Sequence, residues 1–152
     1  MKKGYSIVEL MVAVTISSIM VGFGISAYSK ARDRQVGRAA AEQVISILTQ
    51  HQKKANIGDM DCTGIYLGQN ISISNPGSVT ATSQCSTSSG TPEIVPIPNL
   101  TNITSTSITF KPLTQGAAIT DDPLNIDFTT TSGSTFRIEV TSTGTIEYKG
   151  IQ

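Results

Sequence analysis

Tryptophan is absent from this chain of 152 residues, histidine occurs once and cysteine twice. The one histidine, His51, precedes the distal part of the chain, residues 58–152, so that part can build neither a Ser-His-Asp nor a Cys-His arrangement. Zinc asks for about four nitrogen or sulfur ligands, more than His51, Cys62 and Cys85 supply. The glycines are scattered among turn-like stretches and make no phosphate-cradling loop. The distal part holds three basic residues, Lys111, Arg137 and Lys149, against eight acidic ones. Phosphate-backbone binding needs a basic footprint, which argues against nucleic acid as its main partner. Asp121 and Asp122 precede Pro123 in a turn pattern, which favours solvated acids over a catalytic pair. Asp59-Met60-Asp61 has the D-x-D flavour of a calcium loop but lacks the glycine and distal glutamate of an EF-hand. The chain reads as a non-enzyme with no cofactor and no metal site.

Charge is also missing from a long N-terminal stretch. From Tyr5 to Ser29 the sequence runs YSIVELMVAVTISSIMVGFGISAYS, and after Glu9 no acidic or basic residue appears until Lys30. About 20 apolar residues suffice to cross a bilayer as a helix. Gly22, Gly24 and the scattered Ser and Thr are tolerated there because they permit close helix contact. A core helix that is apolar on every face would need a larger protein around it. A secretory signal has an apolar region of about 7–15 residues and then a small-residue cleavage site, and Ile25-Ser26-Ala27 matches such a site poorly. Glu9 is the anomaly. A carboxylate one turn into a membrane segment is costly, and such a group is normally paired or functional. The plainer alternative places it in the headgroup layer at the helix start, where the helix dipole also favours it.

Beyond Ser29 the pattern becomes helical and one-sided. Val36, Ala40, Val44, Ile47, Leu48 and Ala55 fall on one stripe, with His51 filling a slot as a half-buried packing residue. Arg34, Arg38, Glu42, Gln52 and Lys53 take the opposite face. Gly58 is the expected stop, with Lys53 and Lys54 in the last turns. The helix from Tyr5 to Ile57 would run about 80 Å at ~1.5 Å per residue. Lys30, Arg32, Arg34 and Arg38 form a basic cluster that suits a lipid-headgroup or DNA contact, or simply a solvated face. It competes with Lys2 and Lys3 under the positive-inside rule.

After Gly58 the composition turns to Ser, Thr, Gly, Asn and Pro. Strands are expected at 64–67 and 71–73, a turn at Asn75-Pro76-Gly77, a loop over 84–92, and a proline-punctuated edge strand or extended segment over 94–102. Strict alternation marks further strands over 107–111, 125–128, 136–141 and 145–148, the last three separated by turns at Ser132-Gly133 and Ser142-Thr143-Gly144. This predicts an antiparallel meander whose apolar set (Ile108, Phe110, Ile126, Phe128, Phe136, Ile138, Val140, Ile146 and Tyr148) packs on the helix stripe. Cys62 and Cys85 read as a disulfide if the compartment is oxidising, and otherwise as free thiols or part of a metal site. Asn70-Ile71-Ser72, Asn99-Leu100-Thr101 and Asn102-Ile103-Thr104 match a glycosylation acceptor pattern that a Ser/Thr-rich chain often contains by chance.

Lys2-Lys3-Gly4, then Tyr5, then Ser6-Ile7-Val8-Glu9-Leu10 and the apolar run resemble the class III signal of type IV prepilins and pseudopilins. Tyr5 stands where the family usually has Phe. The resemblance is close over about residues 3–57. It implies that a prepilin peptidase cuts between Gly4 and Tyr5 and methylates the new amine of Tyr5. It also implies that Glu9 of one subunit meets the Tyr5 amine of a neighbour during assembly. The distal domain is loosely similar to the minor pseudopilin H and fimbrial T group, through the V-x-x-x-G-x-I ending from Val140 to Ile146. The fold class expected is α+β: a long N-terminal helix, membrane-spanning and then amphipathic, packed on an antiparallel meander. Residues 1–4 would be leader, 5–29 the membrane half of the helix, 30–57 its amphipathic half and 58–152 the globular pilin domain. The function implied is that of a filament subunit, a minor pilin, held in the inner membrane by one span with the C-terminal domain outside. Its partners would be other pilin subunits and the peptidase. A type II secretion pseudopilin and a membrane-anchored binding domain that never polymerises are the alternatives.

Overall fold

The computed structural model describes residues 6–113 and 115–152. Helix α1 spans Ile7–Ile57. The chain forms two compact units that divide between Gln35 and Val36, so α1 contributes to both. In the first unit α1 is a bare helix whose described apolar side chains are exposed on all sides.

In the second unit α1 is one-sided. Ala40, Ala41, Val44, Ile47, Leu48, His51 and Ala55 are buried, and Val36 is half-buried. Arg34, Arg38, Glu42 and Lys53 are exposed, but Gln52 departs from the polar face expected for it. It is half-buried and its Nε2 donates to the Gly144 carbonyl at 2.8 Å. The helix ends in a left-handed Gly58 (φ 71°). The Gly58 N–H bonds the Ala55 carbonyl and the Asp59 N–H bonds that of Lys54, which satisfies carbonyls the helix cannot.

Nine strands follow among the described residues. The first three are β1 (Tyr66–Ser74), β2 (Ser78–Cys85) and β3 (Glu93–Pro96). After them come β4 (Leu100–Ile103), β5 (Thr106–Phe110), β6 (Ala117–Ala118), β7 (Leu124–Thr130), β8 (Thr135–Val140) and β9 (Ile146–Ile151). All pairings are antiparallel. They form two sheets, in the orders β3-β2-β1-β5-β6 and β4-β7-β8-β9. The expected α+β architecture of a long helix and antiparallel sheets is present.

Within it the meander is shorter than expected. β7, β8 and β9 are consecutive neighbours, but Ile108 and Phe110 lie on β5, which pairs with β1 in the other sheet. Alternation reports which face a strand buries, not which neighbour it pairs with, and the long segment between Phe110 and Leu124 lets the chain change sheets. In place of separate strands at 64–67 and 71–73 there is one strand, β1, which begins only at Tyr66, leaves Gly64 and Ile65 outside it, and has a register shift between Tyr66 and Gly68. The positive φ of Gly68 (137°) serves this β-bulge. The loop expected from 84 starts later, because β2 includes Gln84 and Cys85. The proline-punctuated segment supplies two edge strands, β3 in one sheet and β4 in the other.

One core joins helix and sheets. Phe110, Phe128, Phe136, Ile71, Ile108, Ile126 and Ile138 are almost wholly enclosed. Phe128 and Phe136 stack with ring centroids 5.6 Å apart. Of the predicted inward set, Ile146 is half-buried and Tyr148 is 37% exposed. Both lie on β9, an edge strand, opposite the buried Val140 and Ile138, so the face is right but the edge position leaves them partly open to solvent.

Candidate functional site

The residues that carry the assembly expectation are at the N-terminus. Gly4 and Tyr5, expected as cleavage and methylation sites, lie outside the described residues. Glu9 is placed in the first turn of α1 and is exposed, with no ion-pair partner among the described residues. Around it Ile7, Val8, Leu10, Met11 and Val12 are each more than half exposed. α1 is long and apolar enough in this region to cross a membrane.

Three hydroxyls of this stretch are satisfied locally. Thr15 Oγ1 donates to the Val12 carbonyl at 2.9 Å, Ser17 Oγ to Ala13 at 2.8 Å and Ser18 Oγ to Val14 at 2.8 Å. Lipid offers no partner for a hydroxyl proton, so returning it to the helix backbone removes the desolvation cost. Ala13, Ser17 and Ser18 share a shallow groove with Leu10, Val14 and Val21, and around Gly22 there is open space. Short side chains let another helix approach closely.

Cys62 and Cys85 are joined by a disulfide with Cα atoms 5.9 Å apart. It ties the segment after Gly58 to the end of β2, and further bonds reinforce the link. Ser88 Oγ accepts the Thr63 N–H at 2.9 Å and Ser86 Oγ accepts the Ile65 N–H at 3.0 Å.

The remaining candidates have structural work. His51 is 3% exposed, and its Nε2 lies 3.8 Å from Glu93 Oε2. Burial, then the nearby Lys54 cation, hold its pKa below the ordinary imidazole value, so it is a neutral packing residue at pH 7. No group of three or more His, Cys, Asp or Glu among the described residues is arranged to hold a metal. Asp61 instead accepts the Thr91 N–H at 2.8 Å, which lowers its pKa and fixes the approach to β3. Asp122 accepts both the backbone N–H and the hydroxyl of Ser142, pinning the β8–β9 turn. Asn70 lies within β1 and donates to Ser107 Oγ and Thr109 Oγ1, both at 3.0 Å.

Two contributors were not anticipated from sequence. Gly37 faces the Phe136 ring so closely that an added Cβ would overlap it. Ser78–Cys85 is a strand whose buried positions are Val79, Ala81 and Ser83. The alternation of Val79, Thr80, Ala81 and Thr82 was the available signal for the second, and nothing local marks the first.

Residues 1–25 match the family model described as the prokaryotic N-terminal methylation motif. No curated protein and no solved structure matches the chain.

Proposed function

From the prepilin-type signal that this chain carries, the mark of type IV pilins and pseudopilins, we propose that it is a minor subunit of a type IV pilus or related filament. The motif implies processing by a prepilin peptidase and assembly with other pilin subunits, and in this chain those steps fall on named residues. The peptidase cuts after Gly4, and Tyr5 becomes the methylated N-terminus. One span, residues 5–29, holds the subunit in the inner membrane with the domain from residue 58 onward outside. The supporting observation is the bare apolar helix that begins at Ile7 and carries one carboxylate, Glu9, in its first turn.

Physical chemistry assigns Glu9 its role. Lipid tails are as apolar as leucine, so moving this helix from a bilayer into a bundle of like helices gains little from burial. Packing at Ala13, Ser17, Ser18 and Gly22 supplies contact but little choice of stagger. A carboxylate and a cationic amine supply that choice. Each is costly when buried unpaired, about 3–5 kcal/mol for a broken buried pair, so every stagger that separates Glu9 from a neighbour's Tyr5 amine is penalised. The pair thereby sets register more than affinity.

Intact-mass measurement of the protein from cells with an active prepilin peptidase should show loss of the first four residues and gain of one methyl. A protein that still starts at Met1 in such cells defeats the proposal. Glu9→Ala should stay in the membrane fraction and be missing from sheared filaments, whereas normal incorporation removes the register role.

A further inference from the structure

We infer that Lys30, Arg32 and Arg34 form a phosphate-binding collar for anionic phospholipid, on the side of the bilayer where the globular domain emerges; the inference rests on the membrane anchoring proposed above. Three observations carry it. First, the collar abuts the apolar span directly, since no acidic or basic residue separates Leu10 from Lys30. Second, Lys30, Arg32 and Arg34 are all exposed, and among the described residues none of them has an ion pair. The next cation along, Arg38, is already answered by Glu42 at 2.8 Å. Third, the spacing fits. Glu9 and Lys30 are 21 positions apart, about 31 Å at ~1.5 Å per residue, and the hydrocarbon core is about 30 Å thick.

That spacing puts both charged ends of the span at an interface at once. With the Lys30 backbone at one edge of the hydrocarbon core and its side chain reaching outward to the phosphates, Glu9 sits at the opposite edge and carries little burial cost before assembly. The guanidinium forks of Arg32 and Arg34 can each take two phosphate oxygens, and Lys30 adds a point charge. Asp33 is the one acid among them and offsets part of the field. The collar thus holds the subunit at a fixed depth, and leaving the bilayer for a filament means releasing these phosphates.

The test uses full-length protein in nanodiscs of mixed phosphatidylcholine and phosphatidylglycerol. The lipids retained by the released protein are counted by native mass spectrometry. Phosphatidylglycerol should be enriched, with the enrichment falling about fivefold for each cation removed in the series Lys30→Gln, Arg32→Gln and Arg34→Gln. Asp33→Asn should raise it, and added salt should weaken it. Equal lipid ratios for the wild type and the triple variant would overturn the collar. So would unchanged ratios accompanied by lost subunit–subunit crosslinks, which would give these cations to a second copy of the chain. Carbonate extraction of the wild type separates the two levels. A protein that washes off refutes the anchoring and the collar with it, whereas one that stays integrated without lipid preference refutes the collar only.

Discussion

Gly37→Ala sets two known effects against each other in opposite directions. In a helix interior alanine is favoured over glycine by about 1 kcal/mol. If Gly37 were an ordinary helical position, the substitution would stabilise the protein. Here the new methyl would overlap three atoms of the Phe136 ring. That ring cannot retreat, because it is fully buried and stacked on Phe128. Overpacking of a close-packed core costs roughly 1–3 kcal/mol. With the added Cβ only 2.0 Å from the ring, the overlap belongs in the upper part of that range, about 2–3 kcal/mol, for a net loss of about 1–2 kcal/mol once the propensity gain of ~1 kcal/mol is subtracted. Urea unfolding of the full-length protein in detergent, followed by circular dichroism, measures it. Gly22→Ala is the control, since nothing lies within 4 Å of the Cβ it would add. Gly37→Ala combined with Phe136→Leu should lose less than the sum of the two single changes, because the smaller side chain frees room for the methyl. Equal or higher stability of Gly37→Ala, or strict additivity in the double variant, would refute the reasoning.

Replacing both Cys62 and Cys85 by Ser should lower unfolding free energy by about 3 kcal/mol, from the entropy of a loop closed over a sequence separation of 23; titration of that variant and the reduced wild type should give matching urea midpoints. Acid should destabilise the globular unit in two stages. His51 is held below its ordinary value, so the unfolded chain takes up a proton first, and stability present above about pH 6.5 falls as pH drops below it. His51→Gln should flatten that limb of a urea-midpoint versus pH curve. Asp127, lowered by its hydrogen bonds from Arg137, contributes stability above about pH 3.8 that is lost on further acidification. Asp127→Asn should nevertheless cost no more than about 1 kcal/mol at pH 7, because both partners are about one-third exposed (34% and 35%); a larger loss in denaturant titration would mean the pair organises more of the second sheet than its geometry shows.

Much of this molecule was legible in the order of its residues. An uninterrupted apolar run, the lone Glu9 within it and the change to a one-sided stripe near Val36 are local patterns, and helix periodicity is a local property of the backbone. The same holds for the inward residues of β7 and β8, whose alternation reads without knowledge of any partner. The helix stop at Gly58 follows from a backbone conformation that glycine adopts readily. Pairing was not local. β5 pairs with β1, Ile108 opposite Ile71, and not with the meander, a choice that the alternation within β5 does not report. Gly37 illustrates the limit most sharply. In sequence it is a weak point in a helix, and in the fold it is the space into which Phe136 fits, from almost a hundred positions away. Chain-local chemistry determined the long helix, its apolar first half, the charge within that half and most of the strands. Close packing, which compares surfaces distant in sequence, decided which sheet each strand joined and which small residue had to remain small.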